Sequence, residues 1–331
     1  MPPTLSPPSK VTVAVTQAEP VWLNLEATVD KTCKIISEAA KNGAQLVAFP
    51  EVWIPGYPAW IWNRPVDTDL MTRYIQNSMR LNSDQMGRIR DCAAEHNIVV
   101  VLGFSQNDHD SLYIAQAIID ATGEIKVLRK KMKPTHMERT VFGDSFGDCL
   151  DSVADTAVGR VGALNCWEHL QPLLKYHTYS QREQIHVAAW PPLNTEAPEG
   201  GLESMTGKGL AATSQVYAME SASFVLHSTS VISQAGVDLM KTGDGDWMNA
   251  PGGGSSAIFG PDGKKLTADL PDTEEGILYA TIDLDDILQS KAFIDVCGHY
   301  SRPDLLWLGV DKQIKRHVRF PRPENHDSDA C

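Results

Sequence analysis

Short apolar runs recur along the chain, separated by stretches of helical spacing and by Gly, Pro and Asn. Residues 11–16 (V-T-V-A-V-T) alternate apolar residues with Thr and predict a first strand. Residues 25–42 place Val29, Cys33, Ile36, Ala39 and Ala40 on one helical face, with Gly43 as the stop. Residues 44–49 (A-Q-L-V-A-F) form a short strand that ends at Pro50-Glu51. Residues 70–96 are helical in pattern, as one helix or as two around Asn82-Ser83-Asp84. The fully apolar run 98–104 predicts a buried strand. Residues 112–120 and 125–131 flank A-T-G-E as a hairpin. Further strands are expected at 161–164, 184–190, 223–232 and 276–282, and helices at 171–182 and 207–219. A second hairpin is expected around G-P-D-G, with loops at 135–147 and 194–206. Alternating strands and helices with two inserted hairpins predict an α/β layered fold with mixed sheets, hinting at two similar halves. No short-period repeat is present.

Composition narrows the class. The chain has 331 residues, 42% hydrophobic and 21% charged, as in globular proteins. A net charge of -13 argues against nucleic acid or an anionic membrane as partner, since both need clustered Lys and Arg. The six cysteines are scattered with no C-x-x-C pair, which favours reduced thiols and a cytoplasmic setting. The Pro-rich start has no apolar core of a signal peptide, and no apolar run reaches the roughly 20 residues of a membrane helix. The expected organisation is a flexible segment over 1–10, one domain over 11–304 and a partly mobile C-terminal extension over 305–331.

Candidate chemistry gathers at strand ends. Cys166 closes V-G-A-L-N and is followed by Trp167 and Glu168. An isolated cysteine is ordinarily an inert core residue. This one has Glu51 and Lys133 for company, each at the end of a predicted strand. Layered α/β folds collect chemistry outside the carboxyl ends of their strands. A thiolate is a nucleophile, a carboxylate can take the thiol proton, and an ammonium can stabilise negative charge on the attacked group. The stretch V-W-I-P-G-Y-P-A-W-I-W-N-R-P after Glu51 reads as a rigid aromatic loop over the same strand end.

The motifs F-P-E-V-W-I-P-G-Y-P, R-K-K-M-K-P-T-H-M-E-R-T-V-F-G-D and L-N-C-W-E-H, in that order, closely resemble the nitrilase branch of the carbon-nitrogen hydrolase superfamily. The resemblance runs from about residue 11 to 304, and Q-P-L-L-K-Y-H-T-Y-S-Q-R-E-Q-I-H-V-A-A-W-P looks most like fungal aromatic and arylaliphatic nitrilases. It implies a four-layer α-β-β-α sandwich and a catalytic set of Glu51, Lys133, Cys166 and Glu138, the last positioning the lysine and water. Trp190, Tyr57, Trp60 and Trp167 are the implied substrate wall, with plain packing as the alternative. No metal or organic cofactor is implied, and His169 beside Cys166 does not make a zinc site. The implied activity is hydrolysis of an organic nitrile to acid and ammonia through a covalent cysteine intermediate. The implied assembly is a homodimer that builds larger oligomers or spiral filaments. A cyanide hydratase, an aliphatic amidase and an inactive filament scaffold are the rival readings.

Overall fold

The structure, a computed structural model, describes residues 9–197, 200–314 and 318. In chain order it contains β1 (Lys10–Ala18), α1 (Leu25–Lys41), β2 (Leu46–Ala48), α2 (Thr68–Asn77), α3 (Asp84–Glu95), β3 (Val99–Asp108), β4 (Ser111–Ile119), β5 (Ile125–Lys130), β6 (Val153–Thr156) and β7 (Gly159–Asn165). Then come α4 (Pro172–Ser180), β8 (Ile185–Trp190), α5 (Gly207–Ser221), β9 (Phe224–Ser230), α6 (Gln234–Met240), β10 (Ala257–Phe259), β11 (Gly276–Asp283) and α7 (Asp286–Phe293).

Backbone pairing runs β5-β4-β3-β2-β1-β9-β8-β7-β6, with β11 added to β1 and β10 to β9. β1 is the link between the two halves. Its body pairs with β2 and β11, while Gln17 and Ala18 pair with Thr229 and Ser230 of β9. The two-residue alternation of strand side chains then sorts the core into layers. Val13, Leu46, Val101, Val161, Val187 and Leu226 meet between the sheets. Their neighbours Ala14, Val47, Val100 and Leu102 face α1 and α3. On the other side Leu164, Ala188 and Val225 face α5, where Leu210 and Tyr217 complete the packing. The result is the expected helix-sheet-sheet-helix sandwich.

Local signals explain the helices. Asn24 caps α1 by accepting the Ala27 N–H at 3.0 Å, and Val29, Ile36 and Ala39 form its buried stripe. The 70–96 stretch divides into two helices because Ser83 caps the second, accepting the Met86 N–H at 3.3 Å. The late hairpin is shorter than expected, with one strand, β10, and an isolated Phe259–Lys265 bridge. β6, α6 and α7 were not anticipated from the pattern, being four, seven and eight residues long. Among the described residues no helix is long and apolar enough to cross a membrane. The expected mobile ends lie largely outside the described residues, at 1–8 and beyond 314 apart from 318.

Candidate active site

Three strand ends meet at one edge of the sandwich. After β2 the chain stays in register for one more residue, with the Phe49 N–H donating to the Val101 carbonyl at 2.9 Å, and then turns at Pro50-Glu51. That turn presses on β3 at Gly103, where an added Cβ would lie 2.1 Å from the Pro50 oxygen. Glycine at 103 is therefore what lets Glu51 enter the site. Val52 follows with φ of 48°, a left-handed conformation that a β-branched residue rarely adopts. Cys166 itself sits just past β7 with φ of 49°. Left-handed backbone on a non-glycine costs on the order of 1–3 kcal/mol, and it collects where a side chain must be aimed.

The third end is β5. Its alternation buries Val127 and Arg129 and leaves Lys126 and Leu128 exposed. The pairing continues one residue beyond the strand, with the Lys131 N–H donating to the Ile114 carbonyl at 2.7 Å. Lys131 thus falls on the buried face. Its Nζ lies 2.9 Å from Glu51 Oε1 and 2.8 Å from Glu138 Oε2. Carboxylate oxygens of Glu51 and Glu138 and the Cys166 sulfur all lie within 4.8 Å of one another. These three groups would suit a cation, and the Lys131 ammonium already takes that role by bonding both carboxylates.

The lysine expected from sequence is corrected. Lys133 lies at the surface, 54% exposed, and pairs with Asp144 at 2.7 Å. By residue 133 the chain has left the β5 ladder, so counting forward to the last lysine before Pro134 overshoots the buried face. The other expected residues divide. Cys166, Glu51 and Glu138 come together as anticipated. Tyr57 reaches the cluster as a hydrogen-bond donor, its O–H 3.0 Å from Glu138 Oε1. Trp167 is half-buried beside the thiol. Trp60 packs edge-on against Tyr74 in a neighbouring core, ring centres 5.2 Å apart. Trp190 is buried in the same cluster as Cys166, donating to Ser214 Oγ at 3.1 Å and stacking on His169.

Glu138 and Glu51 are held differently. Glu138 sits in a short 3₁₀ turn capped by Thr135, whose N–H donates to Glu138 Oε2 at 2.7 Å. With Tyr57 and Lys131 it receives three bonds and is pinned. Glu51 receives only Lys131, and its Oε2 is buried with no partner among the described residues. Burial raises the Glu51 carboxyl, and despite the opposing pull of Lys131 it stands at about 8. Burial likewise pushes the Cys166 thiol well up, with Glu51 adding to it and Lys131 and the Trp167 N–H opposing. Burial alone would lower Lys131, but Glu138 and Glu51 outweigh it and hold the ammonium charged. A thiol that does not ionise on its own, next to a carboxylate with a free oxygen, is an arrangement for coupled proton transfer.

Sequence reasoning missed the support beneath the site. Arg129 forks onto Glu168 at 2.7 and 2.8 Å, both fully buried. Glu168 also accepts the N–H groups of Met132 and Asn165 at 2.9 Å each. Those residues neighbour Lys131 and Cys166, so one carboxylate ties together the two strand ends that carry them. The signal was present: Val127, Arg129 and Lys131 share one period of two.

A carbon-nitrogen hydrolase family model matches residues 12–292. An arylacetonitrilase of Aspergillus kawachii is 68% identical over 94% of this chain and 95% of its own length. An arylacetonitrilase of Aspergillus oryzae is 64% identical over 97% of each chain. Among solved structures, a carbon-nitrogen hydrolase from Helicobacter pylori superposes with a TM-score of 0.68 at 17% identity, covering 86% of this chain and 93% of that one. A cysteine-to-alanine mutant of the Nesterenkonia AN1 amidase from the nitrilase superfamily gives 0.62 at 18% identity, covering 86% and 96%. The two structures speak to the fold alone.

Proposed function

This chain belongs to the carbon-nitrogen hydrolase family and is a nitrilase; we propose that its preferred substrates are arylacetonitriles and that Cys166, Glu51, Lys131 and Glu138 carry the reaction. The observation that carries the assignment of roles is the Lys131 ammonium held between two carboxylates within reach of the Cys166 sulfur. Glu51, with its unpartnered oxygen, takes the thiol proton as sulfur adds to the nitrile carbon. The proton passes to the nitrile nitrogen and gives a thioimidate. Lys131 and the Trp167 N–H stabilise charge as it builds on that nitrogen. Water, deprotonated by Glu51, adds to the thioimidate carbon. Loss of ammonia leaves a thioester, and a second water releases the acid and restores the thiol. Expulsion of sulfur in place of ammonia gives the amide. Glu138 fixes Lys131 and does not itself carry protons, because its oxygens are already bonded.

The aryl preference is supported by the names of the relatives and by the aromatic residues near the site. Trp62 stacks on His136 with ring centres 5.6 Å apart and lies 6.1 Å from Trp247. Incubation with phenylacetonitrile, benzonitrile and cyanide, with acid, amide and ammonia quantified, tests it. Faster turnover of phenylacetonitrile to acid is expected; formamide from cyanide as the main product would sink it.

Assembly through the α4 and α5 faces belongs to the same reading. Leu173 is 71% exposed on α4, and Val216 and Met219 are exposed on α5. Light scattering should give a mass of at least two chains. A cytoplasmic setting fits the five described cysteines, all free thiols.

A further inference from the structure

Behind the nucleophile runs a buried polar chain that the reaction as described does not use. His169 Nδ1 lies 2.7 Å from the Cys166 carbonyl oxygen. His169 Nε2 lies 2.9 Å from His186 Nε2, and His186 Nδ1 lies 2.8 Å from Glu183 Oε2. The Tyr217 O–H donates to Glu183 Oε1 at 2.5 Å. Both imidazoles are fully buried and the carboxyl nearly so. Trp190 stacks on His169, and Tyr217 stacks on His186 with ring centres 4.0 Å apart. The chain is tightly fitted: a Cβ on Gly162 of β7 would stand 1.8 Å from Glu183 Oε2.

Hydrogen-bond direction fixes the proton count. A carbonyl oxygen only accepts, so His169 Nδ1 carries a proton. Each of the next two contacts also needs one. Three protons are therefore held by two imidazoles and a carboxyl, whichever atom each sits nearer. Two neutral imidazoles beside an ionised carboxylate would hold only two, so the chain carries one proton more than that. Burial, with His186 adding to it, holds His169 well below the usual imidazole range, so His169 does not take a second proton.

The peptide that His169 grips is the one that matters. The Cys166 carbonyl and the Trp167 N–H belong to a single planar trans unit and point in opposite directions. Holding the carbonyl on the protein side therefore aims the Trp167 N–H into the site, where it donates toward the Cys166 sulfur. The same hold steadies Cys166 at its left-handed φ of 49°.

We propose that Glu183, His186 and His169 form a protonated strut, and that these three positioning residues aim the Trp167 N–H at the reacting centre through the Cys166 carbonyl. This rests on the nitrilase reading. The test compares parent, His169→Leu, Glu183→Leu and Glu183→Gln on phenylacetonitrile, following kcat, KM and the acid-to-amide ratio. That ratio depends on how the tetrahedral intermediate is held and not on how much enzyme is folded. His169→Leu and Glu183→Leu should lower kcat at least tenfold with KM within about threefold, and change the ratio at least twofold. Glu183→Gln keeps a donor toward His186 and should recover most of the loss relative to Glu183→Leu. Parent kcat and ratio in His169→Leu would overturn the proposal, and so would a loss of kcat with the ratio unmoved. The parent protein carries an independent check if the variants do not fold. Labelled with ¹⁵N in histidine and ¹³C in the glutamate carboxyls, it should show exchange-protected protons at His169 Nδ1 and in the His169–His186 contact, with the third on His186 Nδ1 or as a protonated Glu183 carboxyl. Two imidazole protons together with an ionised Glu183 would overturn the strut. A parent that leaves phenylacetonitrile unconverted would fault the substrate reading, while the proton count would still judge the strut.

Discussion

Two buried acid-base clusters lie side by side in this fold, built from similar groups and put to different use. Arg129 and Lys131 point from the same face of one strand end, and each meets a buried glutamate. Glu168 receives four N–H groups, two from Arg129 and one each from Met132 and Asn165. Burial pushes its carboxyl up, but Arg129 and those amides outweigh it and hold it below the usual range. Glu51 receives one donor, keeps a bare oxygen, and stands at about 8. Burial is equal in the two, so the neighbouring charges and the count of donors decide: Glu168 faces Arg129 and four N–H groups, while Glu51 shares Lys131 with Glu138, whose charge raises it. A carboxylate with every lone pair engaged is a fastener. One left short of donors has affinity for a proton, and a nucleophile beside it can supply that proton.

The largest effects should come from breaking the reactive cluster. Cys166→Ala should lower ammonia release by about 10⁴-fold or more, since no other group near the site replaces the sulfur. Lys131→Met should lower kcat/KM by about 10³-fold, the scale of losing a preorganised charge stabiliser. Lys133→Met should stay within about twofold, because an exposed ion pair contributes little. Equal losses in the two lysine variants would overturn the placement of the ammonium. In the fastener, Arg129→Met leaves a buried carboxylate unpaired and should cost about 3–5 kcal/mol in unfolding free energy. Denaturant unfolding reads it, and activity per folded molecule should fall less than in Lys131→Met.

The same contrast explains what could be read in the chain. The layered architecture was legible because β1, β2, β3, β7 and β8 are short apolar runs flanked by strong turn residues. Cys166 and Glu51 were legible because each ends such a run directly. The lysine was not, because R-K-K-M-K-P offers three lysines and only ladder pairing to Ile114 shows where the strand stops. Carrying the alternation from Val127 through Arg129 would have selected Lys131. Arg129–Glu168 and the histidine strut were beyond reach because their partners lie 39 and 17 residues apart and meet only once the sheets close. α7 failed for a different reason: it buries little besides Ile287, so no apolar stripe announces it.

The pH dependence sharpens the comparison. In the proposed reaction Glu51 must be ionised to accept the thiol proton, and its folded value is raised from 4.5 to about 8. Activity is therefore present above that value and lost as pH falls through it, so the acid limb of kcat/KM against pH should lie well above the ordinary glutamate range. Stability runs the other way. A carboxyl whose folded value exceeds its unfolded one favours folding while protonated, and that contribution disappears as pH rises from the ordinary value toward 8. Glu51→Gln should therefore raise the melting temperature at pH 8 by about 2 °C or more while abolishing turnover. A lower melting temperature would show that the Lys131 bond outweighs the desolvation of Glu51.

Within the cluster around Lys131 the smallest effect is expected at Tyr57, and it separates two readings of one residue. Tyr57→Phe removes the donor to Glu138 Oε1 and leaves the ring in place. Glu138 keeps Lys131 and Thr135, so the loss should be about 1–1.5 kcal/mol, near the low end for a hydrogen bond to a charged group. That corresponds to about a tenfold fall in kcat at most, by the usual conversion of barrier into rate. KM for phenylacetonitrile should scarcely move, because the rings of Tyr57 and Trp62 are both retained, with only the Trp62 Nε1 donor at 3.3 Å losing its acceptor. A residue serving as substrate wall would give the opposite pattern: Tyr57→Phe near parent in kcat, and Tyr57→Leu raised in KM for aryl nitriles. The kcat-against-KM split between these two variants therefore shows whether Tyr57 acts through its hydroxyl on Glu138 or through its ring on the substrate.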